Sequence, residues 1–111
     1  MTEIPAGMVE DGENPAEAIV REVAEETGYS SEKSPILLGE FFPNPGIAGN
    51  RLTTYLIPEA RPLEKQSLDS TEAIQIQLVP LESFGQMIIR GQASQAFSAL
   101  AYFLAKDFLK A

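Results

Sequence analysis

A chain of 111 residues that is 44% hydrophobic and 22% charged is long enough for one core and too apolar for a disordered polymer. Its 16 acidic and 8 basic residues leave a net charge of −8, which opposes contact with a nucleic acid backbone. Cysteine and histidine are both missing, which excludes disulfides, thiol nucleophiles, imidazole bases and zinc–thiolate sites; a bound cation should be a hard one held by oxygen, Mg²⁺ or Mn²⁺.

No apolar run approaches the roughly 18 residues that span a bilayer, and residues 1–7 lack the basic and apolar regions of a secretory signal. A single domain over residues 1–111 is therefore expected, cytoplasmic, with neither a membrane nor a nucleic acid partner.

In chain order, residues 2–9 begin extended, because Pro5 biases Ile4 toward β geometry. "EDGE" at 10–13 is a turn. Asn14 then reads as a helix N-cap, with Pro15 at the first helical position and Glu17 three residues after the cap. The helix should run to about Thr27 and close on Gly28 in the left-handed region. Ala16, Ile19, Val20, Val23, Ala24 and Thr27 fill one arc at helical spacing, while Glu22, Glu25 and Glu26 fill the other.

Strands are expected at 35–42 and 51–57 with a Pro/Gly-rich loop between them, and a third at 73–81, where Ile74, Ile76 and Leu78 alternate with glutamine. A short helix should end at Gly91. An amphipathic helix over 93–109 places Phe97, Leu100, Ala101, Leu104 and Phe108 along one core-facing side. This order predicts an α+β or α/β fold.

Glu22, Glu25 and Glu26 repel one another at i, i+3 and i+4 spacing. Taken alone, such a cluster is usually a solvated helix face. Its surroundings argue otherwise. From Gly7 the chain reads Gly, five residues, Glu13, seven residues, then Arg21-Glu22-Val23-Ala24-Glu25-Glu26-Thr27-Gly28. Seven fixed positions have a chance probability on the order of 10⁻⁹ per starting point. The pattern resembles the signature of the Nudix hydrolases. "EIPAGMVEDGE", "AEAIVREVAEETGY" and a downstream "NPG" are most similar to the branch that acts on ADP-ribose and related nucleotide sugars.

The resemblance implies a Nudix-like mixed sheet carrying the motif helix and a C-terminal helix. It implies Mg²⁺- or Mn²⁺-dependent hydrolysis of a pyrophosphate bond in a nucleoside diphosphate. Glu22, Glu25 and Glu26 would be metal ligands, joined by the backbone carbonyl of Ala6, with Gly7 letting that backbone turn. Glu13 and Arg21 would brace the loop and helix by ion pairing, and Gly28 would complete the motif. Pro45 and Gly46 would contact substrate, and Glu72 or Glu25 would activate water.

Four departures accompany the resemblance. Ile47 to Arg51 stand where acidic residues usually follow the Pro-Gly loop, and Ser70 and Thr71 replace carboxylates near Glu72. Tyr29 takes an aliphatic slot. The box begins at residue 7, whereas relatives carry strands of the core sheet before it. An N-terminally truncated scaffold with an open sheet edge is thus expected, and with it a homo-oligomer, most simply a dimer. A non-catalytic nucleotide-binding module or a protein-interaction module is the alternative function.

Overall fold

The computed structural model describes residues 2–43, 51–63 and 75–110. The first element is helix α1, Pro15–Thr27, and its ends are local chemistry. Asn14 Oδ1 accepts the Glu17 N–H at 2.8 Å, and Pro15 occupies the first turn, where its missing N–H has no cost. At the other end Gly28 adopts φ 75°, and its N–H returns to the Ala24 carbonyl at 3.0 Å. Ahead of the helix, Gly12 at φ 80° lets the chain reverse so that the Glu13 N–H meets the Glu10 carbonyl.

Four strands follow: β1 (Tyr29–Ser30), β2 (Ile36–Phe41), β3 (Leu52–Leu56) and β4 (Arg61–Pro62). β2 and β3 form an antiparallel ladder from Ile36↔Leu56 to Phe41↔Leu52, with an irregularity between Leu37 and Gly39. β1 pairs antiparallel with β4 through Tyr29↔Pro62 and Ser30↔Arg61. Among the described residues the expected mixed sheet is therefore two separate antiparallel pairs in an α+β fold. The β1–β4 pair escaped prediction because two residues carry no readable period, and a proline is tolerated only on an edge.

Residues 75–80, expected as part of a third long strand, are irregular. Ile76 and Leu78 are both exposed. Alternation records a strand's preference, but a strand exists only where a neighbour takes its hydrogen bonds.

Helix α2 (Leu81–Ile89) ends as expected near Gly91, and α3 (Ala96–Leu109) packs against α2, β2 and β3. Helix α1 lies against β1 and β3, so β3 touches helices on both sides of it in the chain. The buried apolar residues are small apart from one ring: Ala18, Phe84, Ala93 and Ala101.

Two expectations about helix faces change. In α1 the residue that is buried is Ala18, outside the apolar arc, while Ile19, Val20 and Val23 are half-buried. In α3, Ala101 is buried, but Phe97 and Phe108 are exposed rather than core. Helical spacing shows which side chains share a face; it does not show whether another element covers that face.

Gly85 makes the α2–α3 contact possible. A Cβ there would collide with the Tyr102 hydroxyl and ring, and Tyr102 itself sits edge-on to Phe84 at 6.3 Å between ring centres. Gly85→Val is expected to destabilise the fold by about 1–3 kcal/mol through overpacking. The midpoint of urea unfolding checks this, and an unchanged midpoint would mean that the two helices can part without loss.

Candidate active site

The seventh residue and the second and sixth residues after Val20 meet in space. α1 carries Glu22 and Glu26 one turn apart, and the N-terminal segment crosses both of them. Gly7 lies directly beneath the Glu22 side chain: a Cβ on Gly7 would overlap Glu22 Cγ, Cδ and Oε1. The Ala6 backbone lies close enough to the Glu26 carboxyl to favour its charged form. Glu22 is consequently not on a solvated face; its side chain is 18% exposed, against 62% for Glu25.

Burial raises the Glu26 carboxyl above its ordinary value of 4.5, the Glu22 charge raises it further, and the Ala6 backbone opposes the rise. Among the described residues Glu22 and Glu26 have one cationic neighbour between them, Arg21 beside Glu22, and Arg21 also pairs with Glu13 and Glu25, so the cluster keeps an excess of negative charge. A divalent ion would relieve it.

Arg21 holds the rest of the cluster. Its Nε and Nη2 grip Glu13 in a two-point contact at 2.9 and 3.0 Å, and Nη2 also donates to the Met8 carbonyl at 3.1 Å. Nη1 donates to Glu22 Oε1 at 2.8 Å and lies 3.5 Å from Glu25 and 3.8 Å from Glu10. Glu17, one helical turn before Arg21, is not among its partners. The loop 8–13 is thereby tied to the helix: Glu13 Oε1 accepts the Glu10 N–H as well. The Met8 and Glu10 contacts were not foreseen, since backbone groups and turn residues carry no motif signal.

The hydrogen bonds from Arg21, then one from the Glu10 backbone, lower the Glu13 carboxyl below 4.5. A depressed carboxylate contributes stability that is complete above its ordinary value and lost as pH falls through the folded one. Wild-type protein should therefore lose stability between neutral pH and about pH 3 more steeply than Glu13→Gln. Denaturant midpoints across that range check this; parallel profiles would show that the Arg21–Glu13 contact is not maintained in solution.

Among the described residues no three acidic side chains converge tightly enough to hold a cation unaided. Glu22 and Glu26 converge, and Glu25 stands outward beside Arg21. Such a pair of hard oxygen donors suits Mg²⁺, which keeps several waters and is completed by substrate phosphates. Glu72, Pro45 and Gly46, the other predicted site residues, lie outside the described residues.

The NUDIX domain matches residues 1–101. The chain belongs to the NUDIX domain family. Within the family it is similar to the ADP-ribose pyrophosphatase of Bacillus subtilis (strain 168), with 34% identity over 114 residues covering 100% of this chain and 61% of that protein. The methanol dehydrogenase activator of Bacillus methanolicus is 32% identical over 116 residues, covering 99% of this chain and 60% of its own. A 30-residue stretch, 27% of the chain, is 60% identical to the ADP-sugar pyrophosphatase of Mus musculus, of which it covers 14%. The NUDIX chain described here thus spans about 60% of the length of the first and second of these relatives. Among the described residues no helix is long and apolar enough to cross a membrane.

Proposed function

We propose that this chain is a single Nudix domain of a cytoplasmic Mg²⁺-dependent pyrophosphohydrolase acting on ADP-ribose or a related nucleotide sugar. The observation that carries the reading is the convergence of Glu22 and Glu26 against the Ala6–Gly7 backbone. Similarity to an ADP-ribose pyrophosphatase and an ADP-sugar pyrophosphatase supports the choice of substrate class.

Glu22 and Glu26 would hold the metal, with the Ala6 carbonyl as a further donor and Glu25 contributing directly or through water. When bound, Mg²⁺ supplies neutralisation of the phosphate oxygens. Water attacks one phosphorus, the bridging P–O bond breaks, and two phosphomonoesters leave. Glu25 or Glu72 takes the proton of the attacking water. Arg21 fixes the Glu22 carboxylate through its 2.8 Å hydrogen bond while Glu13 fixes Arg21. Pro45 and Gly46 would border the substrate.

The test is release of phosphate, through an added phosphatase, from the products of ADP-ribose incubated with Mg²⁺, against an EDTA control. Absence of Mg²⁺-dependent turnover with ADP-ribose and with other nucleoside diphosphate sugars would refute the reading. Of the two candidate bases, Glu72→Gln is expected to reduce turnover while leaving Mg²⁺ binding intact; unchanged turnover transfers the role to Glu25.

A second reading, a regulatory module that binds without hydrolysis, is favoured by similarity to the methanol dehydrogenase activator. Calorimetric binding of ADP-ribose with no products formed would select it. Exposed Leu37, Phe42, Ile89 and Phe103 support self-association in either case. Sedimentation at micromolar concentration would reveal the expected dimer, and a monomer would remove that part of the proposal.

A further inference from the structure

We propose that Ser98 is a positioning residue for the metal site, acting from the first turn of α3 by clamping the backbone of Ile4. The inference rests on the reading of Glu22 and Glu26 as the metal-holding pair.

Ser98 is 0% exposed, a fully buried polar side chain. Its Oγ donates to Gln95 Oε1 at 2.8 Å and accepts the Ile4 N–H at 3.0 Å. Gln95 Oε1 also accepts the Ser98 backbone N–H at 2.7 Å, so the helix cap takes the hydroxyl proton and leaves an oxygen lone pair facing Ile4. Capping does not need that hydroxyl. The Gln95–Ser98 backbone contact would survive with alanine at 98, and alanine is the better helix former. What the hydroxyl adds is the bond across 94 positions of sequence to Ile4.

From Ile4 the chain has little slack before it reaches the carboxylates. Pro5 follows with its φ held by the ring. Gly7, two residues on, lies directly against Glu22, and the Ala6 backbone between Pro5 and Gly7 lies beside the Glu26 carboxyl. A fixed point at Ile4 therefore sets where the Ala6–Gly7 backbone crosses α1. The C-terminal helix and the motif helix are linked through this strap, although the motif contains no residue of α3. A buried hydroxyl that served packing alone would affect stability and leave metal affinity untouched, so the two roles separate by measurement.

The experiment follows the Mg²⁺-dependent rise in Tm, without substrate, for the wild type, Ser98→Ala, Ile4→Pro and the double variant, together with amide hydrogen exchange at Gly7. Ser98→Ala removes the acceptor, and Ile4→Pro removes the donor without altering α3. Each is expected to raise the half-saturating Mg²⁺ concentration about tenfold, the size seen when a support of a metal ligand is lost. Each should also speed exchange at Gly7. The double variant should be no worse than the weaker-binding single, because both changes break one bond.

A folded Ser98→Ala protein with lowered Tm but wild-type half-saturation would overturn the proposal. If Ser98→Ala does not fold, unchanged half-saturation in Ile4→Pro overturns it equally. A wild-type chain whose Tm ignores Mg²⁺ would instead bring down the metal reading, and this inference with it.

Discussion

Glu26→Gln is expected to lower kcat by at least about 100-fold at saturating Mg²⁺ while making the metal-free protein slightly more stable. Both effects come from one charge. Glu26 is half-buried next to Glu22, and its carboxyl is raised by burial first and by that neighbour second. A raised carboxylate binds its proton more tightly when folded, so stability falls as pH rises from the ordinary value of 4.5 through the folded one. At neutral pH the metal-free fold carries that penalty.

Glutamine keeps the shape and removes the charge. Relief of a like-charge pair one turn apart, largely screened by solvent, is about 0.2–0.5 kcal/mol, or roughly 1–4 °C in Tm. The same change deletes a hard anionic ligand, so the rise in Tm with Mg²⁺ should disappear. Paired thermal melts with and without Mg²⁺, alongside turnover of ADP-ribose, examine both sides. Near-wild-type kcat in the variant would remove Glu26 from the metal site.

Gly7→Ala should weaken Mg²⁺ binding about 10- to 100-fold and leave the fold intact. The added methyl would occupy the space now filled by the Glu22 carboxylate. The obstacle is the end of a flexible side chain rather than backbone, so Glu22 can swing away and the chain can still fold. Its displacement also breaks the 2.8 Å bond to Arg21 that aims it. Far-UV circular dichroism should match the wild type while the Mg²⁺ titration shifts to higher concentration and excess Mg²⁺ restores part of the turnover. A titration superimposed on the wild type would show that Glu22 does not need its place over Gly7. Glycine serves here for the atom it lacks more than for any special φ.

Sequence alone determined the elements whose causes are local. Helix α1 begins and ends where Asn14, Pro15 and Gly28 place it, because capping bonds join residues three or four apart. β2 and β3 follow from short apolar runs separated by a Pro/Gly-rich loop, and the carboxylates of the motif follow from their spacing on one helix. Family membership was legible for the same reason: the signature lies within 22 consecutive residues from Gly7 to Gly28.

Only the tertiary structure decided which surfaces are covered and which distant residues meet. Phe97 and Phe108 share a helix face with buried Ala101 and are nonetheless exposed. The alternating residues 75–80 remain irregular, and Tyr29 finds Pro62 across a gap that no periodicity spans. The separation of Glu22 from Glu25 is likewise tertiary, since helical spacing treats them alike and the crossing N-terminal segment shelters only one. The bond from Ile4 to Ser98 is the extreme case. Each of these depends on closing a long loop, and the energy that repays loop closure comes from partners that a local window cannot contain.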